Sequence, residues 1–169
     1  MTQLLYARPY DITADAFFFS TVEEFALKSA TLRNEFGQPV EEFEISWIDG
    51  DGVDYALADA WGLNQVNFTT FIDAVEQWDD QQKILFIIAV GECGYSFDPS
   101  KDSPDDLDVD IYELDNLKEL AEQFIEDGLY GPIPESLSGY IDTDAIARDL
   151  AIEYSEVTIA GKRLVYACR

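Results

Sequence analysis

The sequence contains no histidine and few basic residues, and each shortage excludes a class of function. Without histidine, the usual general base, the Ser-His-Asp and Cys-His arrangements and histidine metal sites cannot be built. Ten Lys and Arg against 35 Asp and Glu give a formal net charge of −25, which makes nucleic acid a poor direct partner. We therefore expect basic surfaces, cations or positive grooves as partners.

Cysteines and long apolar runs are also scarce. Cys93 and Cys168 form neither a close pair nor a CxxC motif, and the N-terminus lacks the long apolar core of a secretory signal. No apolar run approaches the roughly 18 residues of a transmembrane helix. The sequence thus predicts a cytoplasmic protein with reduced thiols and no membrane association.

What the chain does contain is enough apolar material to fold. Of its 169 residues, 47% are hydrophobic and 14% aromatic, so it is not a disordered acidic tail. Its 25 net charges equal those on roughly 42 Å of B-DNA, or about twelve base pairs. The alternative explanation for this net charge is a heavily solvated surface, like that of proteins adapted to high salt.

Periodicity predicts an α+β fold made of small domains, with antiparallel sheets and packed helices at both ends and a helical module between them. In an N-terminal α/β domain, residues 1–62, strands are expected at 3–8, 16–19 and 41–48, and a capping box at Thr21 opens a helix to about Asn34. A helix is also expected from Asp54 to Trp61.

The middle domain, residues 63–103, is expected to be mainly helical. Helices are predicted over 70–78 and from Gln81 to about Val90, with a buried strand as the alternative for the second.

Asp49 to Asp54 superficially resembles a calcium loop, but Val53 and Asp54 occupy positions where an EF-hand needs an oxygen ligand and a glycine. An acidic turn fits better.

The C-terminal domain, residues 104–169, follows the most acidic stretch of the chain. Eight of the eighteen residues from Asp98 to Asp115 are acidic, and alternation predicts a strand from Asp106 to Leu114 with its aspartates on one face. Helices over 116–128 and 143–152 and a hairpin of 155–159 with 163–167 complete a three-stranded sheet covered by helices.

Several short motifs in this region resemble the C-terminal part of the ArdA-type antirestriction proteins. They are NLKELAEQFIEDGLYG from Asn116, IPESL from Ile133, YID from Tyr140 and DAIARDL from Asp144. The hairpin from Glu156 to Cys168 is similar to the way many phage-encoded members end. The resemblance is strongest over residues 116–168 and weaker over the first hundred residues.

The resemblance implies an elongated, curved homodimer that imitates DNA and has no catalytic residues, metal or cofactor. Its partner would be a type I restriction-modification enzyme, bound at the DNA groove of its specificity and methyltransferase subunits. Glu135, Asp142, Asp144 and Asp149 are the acidic residues that the matching segment, Gly131 to Leu150, carries over.

Combining charge pattern and resemblance, we predict a DNA-mimic acidic surface and a secondary one. The first comprises Asp105, Asp106, Asp108, Asp110, Glu113, Asp115, Glu119, Glu122, Glu126, Asp127, Glu135, Asp142, Asp144 and Asp149. The second comprises Glu23, Glu24, Glu42, Glu44, Asp49, Asp51 and Asp54.

Two other hypotheses stay open at this point. The chain could be an acidic interaction module that inhibits another DNA-binding protein, such as a CRISPR effector or a nucleoid protein. It could also be a carboxylate-based enzyme, since a glycosidase needs only two acids at a defined separation.

Overall fold

The alternating residues of the N-terminal third form a three-stranded antiparallel sheet in the computed structural model, which describes residues 2–169. Its strands are β1 (Leu4–Pro9), β2 (Phe17–Phe19) and β3 (Phe43–Asp49). The order is β2-β1-β3, with Tyr6 opposite both Phe18 and Ser46. One face is buried, as the alternation requires: Leu5 and Ala7 are fully inaccessible to solvent.

Four helices follow or connect these strands. They are α1 (Val22–Thr31), α2 (Gly52–Trp61), α3 (Phe68–Gln77) and α4 (Asp80–Phe86). The chain continues from α4 into a π-helical segment, Ile87–Glu92, so the predicted helix is confirmed and the buried-strand alternative is wrong. Gly91 lies where the segment meets α2, since a Cβ there would stand 3.3 Å from that of Ala60.

Two aromatic clusters fill the interior of this part of the chain. In the first, Phe17, Phe19, Phe25, Phe43 and Phe68 join the sheet to α1 and α3, with neighbouring ring centroids 4.7–6.1 Å apart. The second joins α2, α3 and α4 and comprises Trp61, Phe71, Trp78, Phe86 and Phe97. Edge-to-face packing adds to burial in stabilising such clusters.

The C-terminal part forms a second antiparallel sheet with two α-helices and a 3-10 helix. Its elements are β4 (Val109–Tyr112), α5 (Leu117–Glu126), a 3-10 helix (Glu135–Tyr140), α6 (Thr143–Leu150), β5 (Ser155–Ile159) and β6 (Lys162–Cys168). The strand order is β4-β6-β5, the sheet that the sequence predicts. Ala160 and Gly161 both have positive φ, 51° and 79°, as the tight turn between β5 and β6 requires.

The apolar stripe of α5 packs against this sheet. Leu120 and Phe124 are buried against Tyr154, Val165 and Ala167. The helix begins where the sequence predicts, because the Asn116 side chain accepts a hydrogen bond from the backbone N–H of Glu119.

By its internal packing the chain divides into two units, residues 1–106 and residues 107–169, which we call the first and second unit. The first unit contains both predicted domains 1–62 and 63–103, and that finer boundary remains a prediction. Within the described residues, no helix is both long and apolar enough to cross a membrane.

Two sequence predictions need correction. The strand expected from Asp106 begins only at Val109, because Pro104–Asp106 forms a 3-10 turn in which Asp106 N–H donates to the Ser103 carbonyl at 3.1 Å. Asp106 and Asp108 therefore do not alternate on a strand. The prediction of reduced thiols is also wrong, since neither Cys93 nor Cys168 is free. The lack of a CxxC spacing did not exclude disulfide bonding.

Candidate functional site

Negative charge is shared evenly between the two units. The first has 21 Asp and Glu against 5 Lys and Arg, a net charge of −16, and the second has 14 against 5, a net charge of −9. Each unit thus carries one net negative charge per about seven residues. The acidic character belongs to the whole chain and is not confined to the stretch around Asp106.

None of the fourteen residues of the predicted DNA-mimic surface is buried. Twelve are exposed, and Asp110 and Glu119 are partly exposed. What separates them is whether another group holds the carboxylate. We use "open carboxylates" for exposed side chains that make no ion pair or hydrogen bond within the described part of the chain.

The outer face of α5 carries the clearest group of open carboxylates. Glu122, Glu126 and Asp127 are exposed, while the apolar stripe of the same helix is buried. Glu119, one turn earlier, instead accepts a hydrogen bond from the Asp115 N–H at 2.8 Å and so helps to cap the helix. The row therefore stands on a helix that is fixed at its start by local capping.

The spacing of this row can be compared with that of DNA. Along the helix axis, Glu122 lies about 6 Å from Glu126, at 1.5 Å per residue, and Asp127 follows directly. One strand of B-DNA carries a phosphate every ~3.4 Å of axis. The α5 row is thus somewhat sparser than one DNA strand but of the same order.

Other predicted members are neutralised by cations. On β4, Asp110 receives hydrogen bonds from Arg169 Nε at 2.7 Å and Nη2 at 2.5 Å, and Glu113 pairs with Lys162 at 2.5 Å. Arg169 also pairs with Glu153 and lies 5.6 Å from the ring centre of Tyr154, and these partners raise its pKa. Asp110 and Glu113 therefore serve the packing of β4 on β6 as much as the surface.

The four acidic residues that the resemblance implies also divide into carboxylates with a partner and open carboxylates. The Asp142 side chain caps α6 by accepting from the Ala145 N–H at 2.9 Å, and Asp144 lies 3.5 Å from Lys118, which ties α6 to α5. Glu135 and Asp149 are open carboxylates.

In the first unit, Asp105 accepts hydrogen bonds from Gln82 Nε2 at 3.2 and 3.3 Å, and Asp106 is an open carboxylate. In the second unit, Asp115 is also open, and Asp108 is exposed.

The secondary acidic surface loses one member. Asp54 is only 1% exposed and lies 2.9 Å from the buried ammonium of Lys83, so its assignment to a surface is wrong. The helical period placed it toward α4, and sequence spacing could not show a partner 29 residues away. Of the others, Glu24 pairs with Lys28 and Glu44 with Arg8, while Asp51 is exposed at the start of α2. Open carboxylates remain at Glu23, Glu42 and Asp49.

A second helical group went unnoticed in the sequence. Asp73 and Glu76 on α3 and Asp80 at the start of α4 are open carboxylates, whereas Phe71, Ile72 and Ala74 of α3 are buried. Their spacing of three and four residues was the available signal. The spacing of three places Asp73 and Glu76 on the solvent face of α3, whereas Asp80 begins the next helix.

Two carboxylates outside these groups have lowered pKa values. Hydrogen bonds from Ser100 and then the nearby Lys101 lower the pKa of Asp98 to about 2, and hydrogen bonds from Asn34 and Thr13 lower that of Asp11. A general acid needs the opposite shift. Among the described residues, no group of three or more His, Cys, Asp or Glu side chains could hold a metal ion.

Comparison with protein-family models adds the deciding observation. The model described as "Antirestriction protein (ArdA)" matches residues 17–162, which is 146 of the 169 residues. The chain belongs to the ArdA antirestriction protein family. A search of curated proteins finds no match.

The family match runs from β2 into β6 and so includes most of both units. It therefore extends the resemblance seen in the sequence, which was strongest over residues 116–168, to the N-terminal part. ArdA proteins are inhibitors and not enzymes, which supports the antirestriction hypothesis over the carboxylate-based enzyme. It also indicates restriction-modification enzymes as the partner class.

Proposed function

We propose that this chain inhibits a type I restriction-modification enzyme by occupying its DNA-binding groove as a mimic of duplex DNA. The observation that carries the proposal is the pair of open carboxylate groups on α3 to α4 and on α5, one in each unit. Both stand on helices whose opposite faces are buried, so their carboxylates are held on an ordered surface.

The mechanism is electrostatic and steric competition. A DNA-binding groove obtains much of its affinity from phosphate contacts and from the counterions that these release. Ordered carboxylates can engage the same Lys and Arg side chains of the specificity and methyltransferase subunits. Because no bond is made or broken, the inhibitor needs no cofactor, and it acts in the cytoplasm of the host bacterium.

We propose further that the inhibitor is a homodimer. The segment between α5 and α6 exposes apolar side chains without burying any of its own: Leu129 is 64% exposed and Tyr140 is 86% exposed. A groove of about 460 Å³ beside it is lined by Ile125, Ile133 and Ile141 but also by Glu122 and Glu126, so the dimer contact that we propose uses the exposed segment and not the groove. An ordered apolar surface of this kind is typical of an interface. Sedimentation of the purified chain measures the oligomeric state.

The proposed function is tested by competition at several salt concentrations. The chain should displace DNA from a type I enzyme, and its binding should weaken steeply as salt rises. The variant Glu122→Gln/Glu126→Gln/Asp127→Asn removes up to three phosphate-like contacts and should reduce the slope of log K against log salt by up to about 3.

Its matched control is Asp98→Asn/Lys101→Gln, which removes an exposed ion pair outside both predicted acidic surfaces without changing the net charge. We expect this control to inhibit like the parent chain. Failure of the parent chain to compete with DNA for any type I enzyme at low salt would refute the proposal. Recovery of a CRISPR effector or nucleoid protein from a host lysate, without restriction-modification subunits, would favour the other inhibitor hypothesis.

A further inference from the structure

Two neighbouring loops of the first unit expose a small apolar group that the acidic surface does not explain. Tyr10 is 65%, Ile12 is 96% and Phe36 is 73% exposed. Single exposed apolar residues are common, but a group of three on adjoining loops is the kind of patch that marks an interaction site. We call these three residues the apolar tip.

Hydrogen bonds hold the two loops of the apolar tip together. Asp11, between Tyr10 and Ile12, accepts from Thr13 N–H at 2.9 Å and, through its other oxygen, from Asn34 Nδ2 at 2.9 Å. Asn34 Oδ1 in turn accepts from the N–H of Phe36 at 2.9 Å. The loop that carries Ile12 is therefore tied directly to the turn that carries Phe36.

This network makes the apolar tip ordered before it binds anything. Tyr10 N–H donates to the Glu42 carbonyl at 3.1 Å and anchors the first loop beside β3, and Gly37, with φ of 74°, closes the second. A preorganised contact loses less conformational entropy on binding than a flexible one.

The charge around the apolar tip decides what can cover it. Exposed carboxylates of Asp15, Glu35, Glu41 and Glu42 lie within a few residues of it. They outnumber the two nearby cations, which are Arg8, paired with Glu44, and the exposed Arg33, which donates to the backbone carbonyls of Ala30 and Leu32. A second copy of this chain would bring the same carboxylates against them and be repelled. The complementary surface is an apolar pocket bordered by basic residues, on a protein that binds DNA.

We propose that Tyr10, Ile12 and Phe36 make a direct apolar contact with the enzyme that this chain inhibits, in addition to the electrostatic contacts of its carboxylates. The inference rests on the proposed function and names a specificity contact for it. The contact distinguishes the inhibitor from its competitor, because the outer surface of a duplex consists of charged phosphates and sugars. Burial of apolar side chains does not depend on counterion release, so it should add affinity that persists at high salt.

The test compares Ile12→Ser/Phe36→Ser with the parent chain in the salt-dependent competition assay. Truncation of exposed apolar contacts in an interface should weaken binding about tenfold or more at every salt concentration. The slope of log K against log salt should not change, because no charge is altered. The α5 charge variant should show the reverse pattern, with a changed slope.

The matched control is Ile48→Ser, an exposed aliphatic residue at the other end of β3 from Phe43. It should bind like the parent chain. If Ile12→Ser/Phe36→Ser also binds like the parent while the parent competes with DNA, the apolar contact is refuted and the proposed function stands. If the parent chain does not compete at all, the proposed function fails and the inference fails with it. Self-association that the double variant abolishes would show that a second copy covers the apolar tip.

Discussion

Replacing Asp54 by Asn should strongly destabilise the first unit without touching the proposed binding surface. Asp54 Oδ1 lies 2.9 Å from Lys83 Nζ, and the two side chains are only 2% and 8% exposed. The same oxygen accepts no well-directed hydrogen bond, so the contact is chiefly the attraction of two opposite charges. The substitution keeps the shape of the side chain and leaves the ammonium of Lys83 buried without a counter-charge.

Removal of one partner of a buried pair typically costs about 3–5 kcal/mol. Small domains have a free energy of unfolding of roughly 5–15 kcal/mol, so this is a large part of the total. The corresponding fall in Tm is at least about 10 °C for a unit of this size. Lys83→Met should cost a similar amount, since it leaves the carboxylate unpaired.

Tryptophan fluorescence during urea unfolding measures the effect selectively. Trp47, Trp61 and Trp78 are the only tryptophans, and all three lie in the first unit. Lys101→Met is the matched control in the same unit, because the pair that it breaks, Lys101 with Asp98 at 3.1 Å, is exposed and should contribute little to stability.

The double variant Asp54→Leu/Lys83→Met distinguishes removal of one charge, which leaves the other buried and unpaired, from removal of both charges. Apolar replacement of both partners is often neutral or stabilising, so it should recover most of the loss. At temperatures where the single variants are folded, inhibition should match that of the parent. A loss below 1 kcal/mol in both single variants would contradict the reasoning, as would a double variant as unstable as the singles.

Three further predictions concern individual carboxylates. A single substitution such as Glu122→Gln should reduce inhibition only slightly, whereas the triple α5 variant should reduce it strongly. The triple variant should unfold at the same or a higher temperature, since like charges about 6 Å apart repel by up to about 0.7 kcal/mol in water. One lone substitution that removed all activity would contradict this. Asp142→Ala should destabilise the second unit by about 1 kcal/mol through loss of the α6 cap, whereas Asp142→Asn should not, as circular dichroism during thermal unfolding can measure. The pKa of Asp98, measured by NMR, should be about 2, below the 3.8 of a free Asp, so its turn contributes stability fully above pH 3.8 and loses it as the pH falls toward 2. Ser100→Ala should raise that pKa, and an unchanged midpoint would refute the assigned cause.

Local patterns were enough to predict most elements of the fold. The apolar stripe of α5, its Asn116 cap and the hairpin of β5 and β6 depend on residues close in sequence, and the structure confirms them. The start of β4 was predicted three residues too early, because the alternation of polar and apolar residues begins before the strand does. Carboxylate and aliphatic residues do alternate from Asp106, but the hydrogen-bonded turn at Ser103 removes the first of them from the strand.

The state of each carboxylate could not be predicted in the same way, because its partner lies far away in sequence. Glu113 meets Lys162 across 49 residues, and Asp110 meets Arg169 across 59. Composition gives the overall excess of acid directly, but it could not indicate which carboxylates would be neutralised.

Five of the ten cations of this chain pair with a carboxylate of another element, and these pairs reduce the repulsion where elements meet. Lys83 lies between α2 and α4, Lys118 between α5 and α6, and Lys162 and Arg169 hold β4 against β6. The solvent faces of α3 and α5 receive no such cation within the described residues. Repulsion therefore remains on the faces that can offer charge to a partner, while the joints that define each unit are neutralised. If the chain binds a basic groove as we propose, binding would relieve that repulsion, and the relief would contribute to the affinity.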